Sequence, residues 1–402
     1  MIRMPHNFEG VTFRIGGEDQ LSQALAAHPC RPFSEETIAL LSRFSACLRE
    51  DTRTREWPDV MSLAFWCRQA SLRQQQGVFT GTQHQTGRGL AFHIAPSNVA
   101  VNFAYSLVAG LLTGNANIVR LPSKPFVQVE IICDAWRRCL AEFPRQQHRV
   151  ILVNYGHESQ ITDYFSGLCQ ARLIWGGDQT IAAIRRSPIP PRAIDIAFAD
   201  RYSFSVINAD AWLEAKNKAR VLEDFYNDTL LTDQQACSAS KLVVWSGNRV
   251  SQARAMFWEM YTDWLQDKYT LVAANVVKNL THFCQDAALS SGTHLVNPHE
   301  NMVFRVELDH PDAEKLITHH QAGYFYEYVA QSLDDIAPLC GEKCQTVTTF
   351  GIAPEDIYSF MSQEHPRGVD RFVPLGQSMQ FSLLWDGYDL VSYLTRHVQV
   401  IS

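Results

Sequence analysis

The sequence predicts an α/β protein made of two doubly wound parallel-sheet domains. Three observations predict it. The chain has 402 residues, more than one ordinary core accommodates. From residue 89 short apolar runs alternate with amphipathic helical stretches, which implies parallel strands joined by right-handed crossovers and covered on both faces. After residue 206 a similar pattern starts again.

Each element has its own signal. Residues 34–50 read as a helix: Ser34 suits the N-cap, Glu35 and Glu36 suit the positive end of the dipole, and Ile38, Leu41, Phe44 and Leu48 share a face. Pro58 opens a second helix over "PDVMSLAFWCRQASLRQQQ". A Gly- and Thr-rich connection follows, then the strand "GLAFHIA". "SNVAVNFAYSLVAGLLTGN" reads as a helix stopped by Gly114. "ANIVRLP", "HRVILVNY", "ARLIWGG" and "AIDIAFA" read as strands, with helices over "VQVEIICDAWRRCLAEF", "ESQITDYFSGL" and "DQTIAAIRRS" between them. Beyond 206 the pattern predicts a helix near 211–231, the strand "KLVVW", long helices through about 285, and strands in "NMVFRVEL" and "TVTTFGI". The expected domains are 1–205 plus a C-terminal return segment 366–402, and 206–365.

Composition excludes several functions. The apolar fraction is 46% and the charged fraction 19%, which is globular. A net charge of −7 without a basic block argues against a nucleic-acid partner. No apolar run suits a membrane span, and "MIRMPHNFEG" lacks the layout of a secretory signal. A cytoplasmic protein with reduced cysteines is expected. The ten cysteines show no paired C-x-x-C spacing, so no metal site is expected, and nine of them read as small buried hydrophobes. His93 sits in an apolar strand and reads as a satisfied core histidine; His319-His320 reads as solvated surface.

The tenth cysteine, Cys237, stands in "DQQACSAS", after two glutamines and before small residues. A buried thiol is the ordinary reading of any one cysteine; these flanks favour a nucleophile. "WGGD" places Gly176 and Gly177 where a strand ends and a helix begins. There two glycines would let a backbone approach phosphates, and a plain tight turn explains them equally well.

Pro96-Ser97-Asn98, Gly114-Asn115 and Arg120-Leu121-Pro122-Ser123 resemble the aldehyde dehydrogenase superfamily in order and spacing, and "QQACSAS" resembles its nucleophile segment. The finer resemblance is to the long-chain acyl-CoA reductase family, the reductase subunit of the bacterial bioluminescence fatty-acid reductase complex. It rests on "FHIAPSNVAVNFAYSLVAGLLTGNANIVRLPS", "DQQACSAS", "CQTV" and "RFVPLGQ…WDGYDL", in that order over roughly residues 85–400. It implies an aldehyde dehydrogenase-like fold with cofactor-binding and catalytic domains. It also implies reduction of an acyl-CoA thioester, with a fatty acyl group expected, to the aldehyde through an acyl-cysteine.

On that resemblance Cys237 is the nucleophile and Asn98 an oxyanion donor, although Asn98 also suits a helix cap. The glutamate that activates water in oxidising relatives falls at Phe198, with Asp200 close by. The superfamily's cofactor lysine falls at Arg120, and the glutamate that favours NAD falls at Ser123, with Lys124 next. That exchange implies NADPH. The resemblance also implies an acyl-CoA or an acylated partner protein as substrate, an acyl-protein synthetase as a candidate partner, and a homo-oligomer. Two other readings stay open: an aldehyde dehydrogenase acting oxidatively, and a non-catalytic scaffold beside an acyl-protein synthetase.

Overall fold

The computed structural model describes residues 8–156, 159–289, 292–296, 302–317 and 321–401. The chain forms two compact units, one of residues 1–199 and 381–402 and the other of 200–380. The segment expected to return to the first domain from 366 thus belongs to the second unit through Gln380 and to the first from Phe381.

The first unit runs β1 (Thr12–Ile15), α1 (Glu18–Ala26), α2 (Glu35–Glu50), α3 (Pro58–Trp66), α4 (Gln69–Val78), β2 (Gln85–Gly87), β3 (Leu90–Ile94), α5 (Asn102–Leu112), β4 (Ala116–Arg120), α6 (Val127–Glu142), β5 (Val150–Asn154), α7 (Ser159–Leu168), β6 (Ala171–Trp175), α8 (Asp178–Ile184) and β7 (Ile194–Phe198). Its six-stranded sheet has the order β1-β5-β4-β3-β6-β7, parallel except for the edge strand β1. The central strands are apolar on both sides because helices cover both faces. Ala91, Val119, Leu152 and Leu173 join one core with α2, α5 and α6, where Phe44 stacks on Trp136 at 4.0 Å. Phe92, Ile118, Ile151 and Ile174 join the other with α7 and α8.

Two local readings change. The helix from Pro58 is two helices: the chain turns extended at Arg68, whose guanidinium lies over the Phe65 ring at 4.6 Å. The helix ending at Gly114 starts at Asn102, well after Asn98. Gly114 has φ +87, and a Cβ there would meet the carbonyl oxygen of Cys30 at 2.1 Å, so both conformation and space require glycine.

One polar group lies deep in this unit. His93 is fully buried on β3, with Nδ1 2.7 Å from Ser106 Oγ and Nε2 3.0 Å from Asn117 Oδ1. Asn117 Nδ2 donates to the Asn115 carbonyl, which fixes Oδ1 as an acceptor, so His93 Nε2 carries the proton. Trp175 Nε1 donates to the same Ser106 hydroxyl at 3.0 Å. Burial pushes the His93 pKa down to about 4.

The second unit runs β8 (Tyr202–Asn208), α9 (Ala209–Glu214), α10 (Lys218–Asn227), β9 (Ser240–Ser246), α11 (Val250–Leu265), α12 (Ala273–Leu289), β10 (Thr293–Leu295), β11 (Phe304–Leu308), β12 (Tyr324–Val329), β13 (Cys344–Phe350) and β14 (Arg371–Pro374), with shorter helices between. Its seven-stranded sheet has the order β10-β11-β12-β9-β8-β13-β14, parallel except for β10. Leu242 and Val244 of β9 pack into one core and Val243 and Trp245 into the other. The helix expected at 211–231 is two helices, because Asn217 caps a new start by accepting from the Arg220 amide. Strands β8 and β12 escaped the sequence reading. Glu327, the polar residue in the middle of β12, is buried and held by Trp245, Trp258, Arg254 and Arg305.

Candidate active site

Cys237 stands half-buried in a tight loop just before β9. The loop takes a costly path. Asp233 and Gln234 are consecutive non-glycine residues with φ 51 and 55, a left-handed conformation that side chains disfavour. Surrounding groups hold it there. The Gln234 side chain is buried; its Nε2 donates to the carbonyls of Ser240 at 3.0 Å and Tyr324 at 3.1 Å, and its Oε1 accepts from the Gly323 amide at 2.9 Å. The Tyr269 hydroxyl donates to Asp233 Oδ1 at 2.7 Å, and the Ala322 amide donates to the Asp233 carbonyl. Strain fixed by so many partners marks a position that the fold over-determines.

The sheet beneath the loop is irregular in the same place. Between Ser203 and Ser205 of β8, the neighbour β9 advances from Ser240 to Val243, one residue more than β8. On the other side β13 advances from Cys344 to Thr346 while β8 advances from Tyr202 to Ser203. Two bulges thus flank the amino end of β8. Ser203, buried between them, donates its hydroxyl to the Cys237 carbonyl at 2.8 Å and accepts from the Thr346 amide at 3.2 Å. Bulges recur beside active sites because they re-aim side chains.

Two further groups here were not singled out in the sequence. Asp228 is buried and accepts from the amides of Gly376 at 2.5 Å and Ser378 at 2.8 Å, so it ties down the "VPLGQS" turn. Desolvation raises its pKa to about 6. Lys241 lies in the β9 bulge and is 4% exposed. Burial lowers its pKa, and the Cys237 and Asp200 charges oppose that shift. A lysine opening an otherwise apolar strand was the available signal.

In the first unit the remaining candidates gather at the carboxyl ends of three adjacent strands, β4, β3 and β6. The chain order reverses there: β4 and β5 follow β3 to one side, and β6 and β7 lie to the other. Such switch points open a crevice for ligands. Asn98 follows β3, exposed, with no side-chain hydrogen bond to any described residue. It is not the helix cap, because α5 begins after Val101. Arg120 ends β4, donates to the Gly156 carbonyl at 2.6 Å, and lies over the Tyr155 ring at 4.5 Å. Ser123 and Lys124 are exposed in the loop beyond it. Gly176 and Gly177 link β6 to α8; neither has a left-handed φ, and a Cβ on Gly176 would crowd Thr180 at 3.2 Å. Phe198 is buried, stacked on Trp175 at 3.6 Å, with the Tyr388 ring edge-on at 5.6 Å.

Of the other nine cysteines, Cys47, Cys67, Cys133, Cys139, Cys169, Cys340 and Cys344 are buried, and burial pushes the thiols of Cys133, Cys139 and Cys169 up to about 12. Cys30 is half-buried and Cys284 is exposed on α12, so the buried reading fails for Cys284. No group of three or more metal-ligating side chains occurs among the described residues, and none of their helices is long and apolar enough to cross a membrane. His319-His320 lies outside the described residues.

Residues 31–260 match the model of the family described as acyl-CoA reductase (LuxC). The chain is 23% identical to the long-chain acyl-protein thioester reductase of Vibrio harveyi over 326 residues, 78% of this chain and 64% of that protein. It therefore spans less than two thirds of that relative. Among solved structures, an NAD-dependent benzaldehyde dehydrogenase from Corynebacterium glutamicum superposes with a TM-score of 0.62 at 14% identity, covering 94% of this chain and 86% of that one. A lactaldehyde dehydrogenase superposes with a TM-score of 0.64 at 13% identity, covering 96% and 89%. The fold is that of the aldehyde dehydrogenases.

Proposed function

Because the chain belongs to the acyl-CoA reductase (LuxC) family, we propose that it reduces an acyl thioester to the aldehyde, with NADPH as reductant. The observation that carries this reading is the clamped loop 233–240, which holds one cysteine at the doubly bulged amino ends of the central strands. The Cys237 thiolate attacks the acyl carbonyl carbon, and the thioester sulfur leaves with its bonding electrons. The acyl group is then held as a thioester on Cys237. The Asn98 side-chain amide and the Cys237 backbone N–H donate to the carbonyl oxygen when it carries charge. A nicotinamide cofactor, when bound, supplies hydride. Cys237 is released as a thiolate when the reduced carbon becomes an aldehyde.

The strand ends of the first unit suit such a cofactor. Lys124 and Ser123 are exposed beside Arg120, and no carboxylate stands at Ser123 to repel a 2′-phosphate. Arg120 keeps donors to spare, since a guanidinium has five N–H groups. Gly176 and Gly177 would lie on the phosphate side.

Phe198 favours reduction over oxidation. On the resemblance it falls where an oxidising relative has the carboxylate that activates water, and a phenyl ring stacked on Trp175 cannot do that, which would spare the acyl-cysteine hydrolysis. The name of the Vibrio harveyi relative points to an acyl group carried on protein, so both carriers belong in the test. The experiment follows NADPH oxidation and aldehyde release with a chain-length series of acyl-CoAs and with one acylated protein. Aldehyde formation with either carrier supports the reading. Absence of both turnover and Cys237 acylation would leave the scaffold reading.

A further inference from the structure

A cysteine thiol has a pKa near 8.5 and attacks only as the thiolate. On the resemblance, the position of the water-activating carboxylate falls at Phe198, which cannot act as a base.

We propose that Lys241, a largely buried lysine in the β9 bulge, is the counter-ion of the Cys237 thiolate and keeps the nucleophile ionised without a general base. This rests on the assignment of Cys237 as nucleophile. The geometry has three parts. The Cys237 carbonyl is pinned at 2.8 Å to Ser203, and Ser203 pairs in the ladder with Ser240, the residue before Lys241. The nucleophile and the lysine are therefore fixed to the amino ends of the same two strands. The extra residue in β9 falls at 241–242, so the lysine's direction is set by an irregularity and not by the ordinary alternation of a strand. Lys241 is 4% exposed as a residue, and its ammonium makes no hydrogen bond to a described residue. A lysine with so little of its surface in water and no hydrogen-bonded partner is favoured by a negative charge nearby.

The other charged groups at these strand ends are engaged. Asp228 is held by the Gly376 and Ser378 amides, and Asp233 by Tyr269. Arg201 is paired with Asp370. Cys344 is a buried thiol whose pKa is raised by desolvation. Asp200 and Cys237 remain as the charges that act on Lys241, and Cys237 acts more strongly. The thiol proton passes to solvent, and Lys241 stays protonated throughout, so its role is electrostatic at both moments when sulfur carries charge. Those moments are the attack on the thioester and the release of the aldehyde.

The test is the pH dependence of Cys237 alkylation by iodoacetamide, read by peptide mass spectrometry so that the other nine cysteines do not contribute. An opposite charge at close range shifts a pKa by roughly 1–3 units, so Lys241→Met should raise the alkylation midpoint by at least about one unit and slow the reaction near pH 7 by roughly tenfold. Lys241→Arg should keep the native midpoint. Lys241→Gln, which retains a polar end, replaces the Met variant if that one fails to fold. A folded Met or Gln variant with the native midpoint overturns the proposal, as does an Arg variant that shifts as far as Met. Alkylation needs no substrate, so the reductase reading can fail separately: a native protein with a depressed Cys237 midpoint and no acyl-thioester turnover would sink that reading and leave the ion pair standing.

Discussion

Asn98 stands on a loop that leaves the carboxyl end of a parallel strand, exposed and without a side-chain hydrogen bond to any described residue. Cys237 stands on a loop that enters the amino end of a strand, bent through two left-handed residues and clamped by a buried glutamine. The difference follows from what each position asks of the chain. The loop after a parallel strand lies where ligands ordinarily bind, so a donor there needs little beyond exposure. The loop before a strand has no such advantage, and a nucleophile there must be aimed by the backbone itself. Substitutions in the first loop should therefore cost chemistry alone, and substitutions around the second should cost chemistry and stability together.

The largest effect tests the second loop at its centre. Cys237→Ala should abolish acylation by an acyl thioester and reduce turnover by at least about 10⁴-fold, while nucleotide binding, followed by fluorescence titration, stays near native. Appreciable turnover by this variant would falsify the covalent route.

Next come two substitutions that set the loops against each other. Asn98→Ala should lower kcat by roughly 10²–10³-fold, about 3–4 kcal/mol of barrier, and leave the melting temperature unchanged, because Asn98 caps no helix. Gln234→Leu strips partners from three buried backbone groups and should cost about 3 kcal/mol of stability, with Cys237 acylation falling in parallel. A loss of stability in the Asn98 variant, or full stability in the Gln234 variant, would dissolve the contrast between the loops.

The two units should also answer pH in opposite directions. His93 is held neutral in the first unit, its pKa lowered from 6.5 to about 4. Below pH 6.5 the unfolded chain takes a proton that the folded one refuses, so up to about 3 kcal/mol is lost as pH falls from 6.5 to 4. Asp228 in the second unit has its pKa raised from 3.8 to about 6. Its contribution is fully present below 3.8 and is lost as pH rises through 6, again by up to about 3 kcal/mol. Hydrogen exchange resolved by peptide across pH 4–7 should show the β3 region gaining protection while the 224–240 region loses it. Parallel changes in both would remove these groups as the cause.

The smallest effect concerns the cofactor. NADPH should be preferred over NADH by at least about tenfold in kcat/KM. Lys124→Ala should erode that preference more than Arg120→Ala, because the Arg120 guanidinium is partly committed to the Gly156 carbonyl and the Tyr155 ring. Equal losses with both cofactors would mean that these residues serve the strand end alone.

Apart from α1, the break between α3 and α4 and the start of α5, the sequence by itself determined the α/β class, the parallel strands of the first sheet and its helices. Those features depend on local periodicity, and periodicity is written residue by residue: "LAFHI" is apolar throughout because both faces of its strand are covered. It also singled out Cys237, through its flanks. The tertiary structure alone decided how that cysteine is held. Gln234 becomes a clamp only when Tyr324 and Gly323, about 90 residues onward, arrive beside it. Ser203 becomes an anchor only when β9 and β13 pair with β8 out of step. The same holds for β12, whose Glu327 interrupts the apolar pattern and is satisfied by tryptophans and arginines from three other elements. Hydrogen bonds between distant residues leave no period in the sequence, so the path of the nucleophile loop, and the lysine beside it, emerge only when the sheet is assembled.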